Sequence, residues 1–383
     1  MRFRELGATG IEVSEVGLGC EHLENKEEAV VLSVVHEAME KGINILDVFM
    51  SEPNVRQRIG KALKGRREKA VLQGHIGAAW QNGQYLRTRD SLLCKTFFED
   101  LLRRLETEYI DIGMLHFIDT QEDWQAVLNG PVMAYALELK RRGVIRAVGM
   151  SSHNAKVALE AVRSGLIEVL MFSLNPAFDL LPGDTDLDTL FKRDSYSRTG
   201  LMGMDPVREE LYGACEAMGV GITVMKGFGA GTLLSGDASP FRRALTPSQL
   251  LQYALTRPAV ASVLVGCKTP EQVREAAAFE TATEEEKDYS VILGALDAYA
   301  MTGRCMYCNH CLPCPAQIDI AQVNKYLDLA SYTEQAAPSL REHYAALAAH
   351  AGDCIACGQC EDRCPFQVPV IARMEKAREL FGL

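Results

Sequence analysis

Glu28–Asp47 reads EAVVLSVVHEAMEKGINILD. Its first fourteen residues place apolar side chains three and four apart, the spacing of one helix face, and INILD at 43–47 is a short apolar run typical of a strand. The same unit recurs along the chain. Strand-like runs stand at 13–19, 43–47, 70–75, 110–116, 144–150, 167–174, 220–226 and 259–265, with helical stretches such as 91–105, 131–142 and 155–164 between them. These runs are apolar on both faces, as a parallel sheet covered by helices requires. Eight βα units in about 280 residues is the arithmetic of a TIM (β/α)8 barrel. A doubly wound open sheet is the alternative, but no GxGxxG opens the first helix.

The chain has 383 residues and a net charge of −11, ordinary for a globular protein and too acidic for sequence-independent nucleic-acid binding. No apolar run approaches a membrane span and the N-terminus lacks a signal-peptide core, so a cytoplasmic protein without membrane contact is expected. Of twelve cysteines, eight lie between Cys305 and Cys364. In a reducing compartment, such a cluster points to metal ligation rather than disulfides. The barrel is therefore expected over 1–283, with a small, mainly helical iron–sulfur domain over 284–383. TEEEKDYSVILGALDAYA (283–300) reads as the helix that joins them, and 179–205 as a long loop over the catalytic end of the barrel.

Cys305, Cys308, Cys311 and Cys314 form CxxCxxCxxCP, and Cys354, Cys357, Cys360 and Cys364 form CxxCxxCxxxCP. Three thiolates at three-residue spacing wrap one corner of a cubane, and in two-cluster ferredoxins the fourth cysteine of each run ligates the other cluster. Cys305, Cys308, Cys311 and Cys364 are thus assigned to one [4Fe–4S] centre, and Cys354, Cys357, Cys360 and Cys314 to a second. Zinc also takes four cysteines, but usually as two distant CxxC pairs. Cys20 and Cys267 end strands and read as small buried hydrophobes.

The chain resembles the aldo/keto reductase family. The markers are RELGATGIEVSEVGLG, GINILD, IGKALKGRR, RLETEYIDIGMLH, KRRGVIRAVGMSSH, MKGFGAG and VLVGCKTPEQV, in family order over residues 1–280, while the tail resembles the ferredoxin-like extension of the iron–sulfur subgroup. The resemblance implies a TIM barrel and an Asp, Tyr, Lys, His tetrad in which the tyrosine protonates the substrate carbonyl. Asp47 and His116 match; Glu52 occupies the tyrosine place, and Gln73-Gly74-His75 ends the strand that should carry the lysine. For the nicotinamide cofactor, the family's Ser-Asn pair is Ser151-Ser152, its stacking aromatic falls at Met225 followed by Lys226, and Lys268 is the remaining phosphate partner. What is left of that set suits a weak NAD site better than a tight NADP site.

Four of the eight histidines, His22, His75, His116 and His153, fall at strand ends on the catalytic side, and Glu52, Asp47, Asn175 and Lys226 would ring the same opening. Two chemistries fit. In one, His75 or Glu52 replaces the tyrosine as acid–base group, with Asp47 and His116 orienting it. In the other, His75, His116 and Glu52 or Asp47 hold a divalent metal. Tyr85, in Trp80–Tyr85 after the third strand, is a substitute proton donor if its loop reaches over the mouth. The expected function is an oxidoreductase acting on a small polar organic substrate, with electrons relayed by two [4Fe–4S] clusters between the barrel mouth and a ferredoxin- or flavodoxin-type carrier. The alternative is a non-redox lyase or isomerase with structural clusters.

Overall fold

The computed structural model describes residues 1–196, 204–290, 303, 305–330 and 336–383. The chain forms two compact units, residues 1–292 and 293–383.

In the first unit, β1 (Phe3–Glu5) and β2 (Glu12–Ser14) make an antiparallel hairpin. The chain then lays down β3 (Val16–Gly19), β4 (Ile45–Val48) and β5 (Val71–Ile76), a second antiparallel hairpin of β6 (Ala78–Gln81) and β7 (Gln84–Arg87), and β8 (Ile110–Leu115). β9 (Ile145–Ser152), β10 (Val169–Ser173), β11 (Gly221–Met225) and β12 (Val260–Gly266) complete the series. β3, β4, β5 and β8 to β12 pair in parallel in chain order, and β12 returns to β3 to close the barrel. Each of the eight expected strand runs overlaps one barrel strand. The two hairpins were not expected.

The core has two layers, as a barrel wall with side chains on both faces must. Ile45, Ile112, Met114, Val169, Met171 and Leu264 fill the interior, joined by Leu6, Ile11 and Val13 from the first hairpin and its turn. Val16, Leu46, Leu72, Val148, Phe172 and Val224 face outward onto the helices. Cys20, Cys94, Cys215 and Cys267 are buried in this outer layer as free thiols. Loop 179–205 contains short helical turns at Leu187–Leu190 and Arg193–Tyr196, and residues 197–203 lie outside the described ones. Among the described residues of the helix expected over 283–300, Glu284–Lys287 form one turn, opened by a Thr283 capping box, and Asp288 leaves it with extended backbone. Residues 291–300 lie outside the described ones.

The second unit packs helix Ile320–Ala330 against helix Val370–Phe381 over a core that includes Ile318, Val323, Leu327, Tyr344 and Met374. The two cysteine runs repeat a backbone pattern. Tyr307 and Ala356, which precede the second cysteine of each run, have φ of +52° and +52°. Gln317 and Gln367, three residues after each fourth cysteine, have φ of +58° and +49°. The internal repeat seen in the sequence is thus also a conformational one.

Candidate functional site

Adjacent parallel strands bring the charged ends of the barrel together. Asp47 precedes the last residue of β4, Gln73 and His75 sit on β5, and His116 follows β8. All four are buried. His75 Nε2 lies 2.9 Å from Asp47 Oδ1, and His75 Nδ1 lies 2.8 Å from His116 Nδ1. Tyr85, on β7, closes the series with its hydroxyl 2.6 Å from His116 Nε2. Gln73 buttresses it from below, donating to Asp47 Oδ1 at 2.7 Å while its own oxygen accepts from Thr223 at 3.0 Å. Phe49 stacks on His116 at 5.6 Å and meets His75 and Tyr85 edge-on.

With both rings uncharged, one hydrogen arrangement satisfies every contact. A carboxylate only accepts, so His75 carries its hydrogen on Nε2 and accepts at Nδ1. His116 therefore carries its hydrogen on Nδ1 and accepts at Nε2, and Tyr85 donates its phenolic hydrogen to it. Burial pushes the His116 pKa well below the ordinary histidine value, and the neighbouring His75, Arg89, Arg87 and His153 push it the same way. Burial raises the Tyr85 pKa, opposed by Arg87 and Arg89. The chain at neutral pH is thus neutral imidazole against phenol.

Glu52 does not join this ring. It is the N-cap of helix Pro53–Ala62: Oε1 accepts from Asn54 N at 2.9 Å and Oε2 from Val55 N at 2.7 Å. Both carboxylate oxygens are engaged there, which removes the expectation of an acid–base or metal-ligand Glu52. The expected two-His, one-carboxylate metal site meets the same obstacle at His75, whose two nitrogens bond His116 and Asp47. No group of three His, Cys, Asp or Glu among the described residues converges as a single-metal site would.

His153, itself buried, stands beside the ring in a second pair, its Nδ1 2.9 Å from the half-buried Asp119. Ser151 Oγ accepts from Phe117 N at 2.7 Å and keeps its own hydroxyl hydrogen, whereas Ser152 Oγ bonds Asp119 at 3.2 Å. Met225 is buried at the end of β11. Lys226 follows with a left-handed φ of +58° and its ammonium 3.6 Å from Glu21. Asn175 is spent on structure, donating to Lys226 O and accepting from Ala177 N and Phe178 N. His22 has its pKa lowered by burial, against the pull of Glu21, with Lys268, Lys226 and Lys26 lowering it further. Those lysines make a cationic rim that suits phosphate.

The role of the second hairpin escapes a reading by strand periodicity alone, because its flanks do not alternate. Its signal is Asn82-Gly83, with φ of +53° and +76°, the dipeptide that favours a two-residue turn with both φ positive. Trp80 pairs Tyr85 across the hairpin, which fixes the tyrosine's place on it.

In the second unit one cavity is lined by Cys314, Cys354, Cys357 and Cys360, and another by Cys305, Cys308, Cys311 and Cys364. The fourth cysteine of each run thus faces the cavity of the other run, in the crossed arrangement expected from spacing. Each set offers four thiols and a largely apolar wall to which Ile320 and Val370 contribute in both cavities. That donor set fits a [4Fe–4S] cubane, whose thiolates bind separate irons and stand farther apart than four ligands of one zinc.

Residues 15–249 match the model of the aldo/keto reductase family, and residues 304–369 match a 4Fe-4S dicluster domain. The chain belongs to the aldo/keto reductase family. It is 31% identical over 303 residues to the uncharacterized oxidoreductase YqkF of Bacillus subtilis, a match covering 75% of this chain and 94% of that one. It is 27% identical over 302 residues to an NADH-specific methylglyoxal reductase of Escherichia coli, covering 70% of this chain and 90% of that one. Among solved structures it is similar to an aldo-keto reductase from Bacillus halodurans in its holo form, with a TM-score of 0.60, 27% identity, and coverage of 78% of this chain and 97% of that one. The chain is therefore an oxidoreductase of this family that carries an iron–sulfur extension. Against the family's tetrad, Asp47 and His116 keep their places, His75 stands on the strand expected to carry the lysine, and a tyrosine arrives from a different segment.

Proposed function

We propose that this aldo/keto reductase interconverts an alcohol and a carbonyl on a small polar substrate at the barrel mouth, with Tyr85 as the group that exchanges the proton. The observation that carries this reading is the 2.6 Å contact of Tyr85 with His116, at the end of a hydrogen-bonded series running to Asp47. In the neutral series, His116 Nε2 is free of hydrogen and accepts from Tyr85. When an alcohol docks on Tyr85, its hydroxyl hydrogen passes to the tyrosine oxygen as the phenolic hydrogen passes to His116. Asp47 and His75 support the positive charge that arrives. A bound nicotinamide supplies the two-electron partner, taking or giving the hydride. Ser151, Lys226 and Lys268 are the residues this chain has left to hold it, Ser151 through its unused hydroxyl hydrogen and the lysines through charge. Carbonyl reduction is the same step reversed and starts from a protonated series.

Cys305, Cys308, Cys311 and Cys364 would hold one [4Fe–4S] cluster and Cys314, Cys354, Cys357 and Cys360 a second; these would supply single-electron exchange with a ferredoxin- or flavodoxin-type carrier, separate from the hydride step in the barrel. Tyr85→Phe tests the barrel chemistry. Removing a general acid–base group lowers kcat on the order of a hundred- to ten-thousandfold, while NADH binding measured by calorimetry on anaerobic holoprotein stays. Because burial holds His116 neutral, reduction should rise as pH falls toward its lowered pKa, while oxidation should be level at neutral and higher pH and fall over that same acid range. Wild-type turnover in Tyr85→Phe would remove Tyr85 from the chemistry.

A further inference from the structure

We infer that the substrate carries a carboxylate, and that Arg87 receives it: the mouth is built for a short oxo- or hydroxycarboxylate. The inference rests on the proposed role of Tyr85 and names the substrate class of that site.

Tyr85 and Arg87 are two residues apart on β7, so their side chains leave the same face of the strand. Tyr85 reaches the His116 ring, so this face is turned to the mouth. The Arg87 guanidinium lies over the Phe117 ring, 4.7 Å from its centroid, and Phe117 packs in turn on His153 at 4.9 Å and against His116 at 6.1 Å. The charge is thus one aromatic ring away from both mouth histidines.

Arg87 is a different kind of arginine from its neighbour. Arg89 is held by both oxygens of Asp123, at 2.7 and 2.6 Å. Arg87 has no carboxylate partner among the described residues, only a long contact of 3.4 Å to Phe117 O. Its fork is therefore nearly unused by the described residues, and a guanidinium fork binds a carboxylate through two parallel hydrogen bonds. In a chain of net charge −11, an unpaired guanidinium beside the proton-exchanging phenol calls for a counter-charge. A short oxocarboxylate supplies it: the carboxylate pairs with Arg87 and the carbonyl oxygen faces Tyr85. Arg87 is then a positioning residue, because a substrate clamped at one end presents its other end in one orientation.

Two measurements on anaerobic full-length holoprotein test this. Oxamate, an unreactive oxo-acid mimic, and neutral oxamide are titrated calorimetrically in the presence of NADH. Oxamate is expected to bind the wild type at least tenfold more tightly than oxamide, with that preference lost in Arg87→Met and partly restored in Arg87→Lys. Kinetically, glyoxylate is compared with acetaldehyde, and succinic semialdehyde with butanal, at pH 6. Arg87→Met should raise KM for the two acids ten- to a hundredfold more than for their neutral counterparts, the range of a lost charge-assisted hydrogen bond. Equal affinity for oxamate and oxamide in the wild type, or an equal effect of Arg87→Met within each pair, overturns the carboxylate inference and leaves the role of Tyr85 standing. If neither acids nor neutral carbonyls turn over, the alcohol–carbonyl reading fails, and the oxamate titration still decides whether Arg87 binds a carboxylate.

Discussion

Gly83→Val is the perturbation that separates the placement of Tyr85 from its chemistry. Gly83 sits at the tip of the second hairpin with φ of +76°, and a Cβ built there meets nothing within 4 Å. The substitution therefore introduces no clash with neighbours, only a β-branched residue in a left-handed conformation, which costs about 1–2 kcal/mol. The hairpin can shed that strain without unfolding the barrel. Its base is tied down, with Ala78 and Ala79 buried, Ser51 Oγ donating to Ala79 O at 2.6 Å, and Thr88 N donating to Gly77 O at 2.9 Å. Its outer part, Gln81 to Tyr85, is exposed. Opening there withdraws the phenol from His116. A change of 1–2 kcal/mol alters the closed-to-open ratio by roughly 5- to 30-fold, and this bounds the loss of kcat/KM. Asparagine tolerates a left-handed φ, so Gly83→Asn is the control and should retain most activity. The assay is kcat/KM beside the thermal midpoint of the barrel, which should move little in either variant. Gly83→Val with kcat/KM within twofold of Gly83→Asn would refute the claim that the hairpin holds the proton donor in place.

Glu52→Ala should cost about 0.5–2 kcal/mol as a lost helix cap and lower the thermal midpoint by a few degrees, with kcat close to wild type; a thousandfold loss of kcat at unchanged stability would return Glu52 to the chemistry. His116 is neutral and buried, facing His75, Tyr85, Arg87, Arg89 and His153, and its folded pKa lies below its unfolded value of about 6.5. The unfolded chain then binds more protons, so this contribution is whole above pH 6.5 and is lost as pH falls toward the folded value. The urea midpoint should decline from pH 7 to pH 5, and His116→Gln should flatten that decline; an unchanged slope would contradict the neutral ring. For the clusters, the crossed ligand sets make Cys364→Ser and Cys305→Ser redundant, so the double variant should lose no more iron than either single one. Cys364→Ser with Cys354→Ser should lose iron from both sites. The reverse pattern in the iron content would mean that each run holds its own cluster.

The barrel was legible because its signal is repeated: each βα unit alone is ambiguous, but eight in order admit few folds. The crossed lining of the two cysteine cavities was open to expectation for a different reason, since in a two-cluster reading a run of three close thiols leaves its fourth iron to a remote ligand. The hydrogen-bonded ring was half legible. Asp47 and His116 lie at strand ends in a family register, and His75 stands beside them on β5, but only coordinates place its two nitrogens between both partners. Glu52 was misread by counting five residues from Asp47, although Pro53 immediately after it marks a helix start, where a carboxylate caps amides. Tyr85 is the hardest case. Asn82-Gly83 announces a hairpin, yet which way the hairpin leans over the barrel depends on its anchoring at Ser51, a contact distant in sequence.

In the proposed chemistry, the absence of the family's lysine and the use of Tyr85 form one change when protons are counted. A lysine on β5 would hold a fixed positive charge beside Asp47 and act on the tyrosine by attraction. His75 holds none in the neutral series, and what it offers Asp47 is one N–H and what it offers His116 is one lone pair. Both rings then have a single free position between them, His116 Nε2, which Tyr85 covers. Adding one proton to the series reverses only the hydrogen bond between Tyr85 and His116, and it frees the phenolic hydrogen for a substrate oxygen. Removing it turns the same phenol back into the path by which a substrate hydroxyl is deprotonated. The ring thus stores one proton and exchanges it at one atom. A tyrosine at position 52 would leave the helix amides that Glu52 now caps without that carboxylate. The hairpin brings the phenol to His116 Nε2, which neither His75 nor the capping residue reaches.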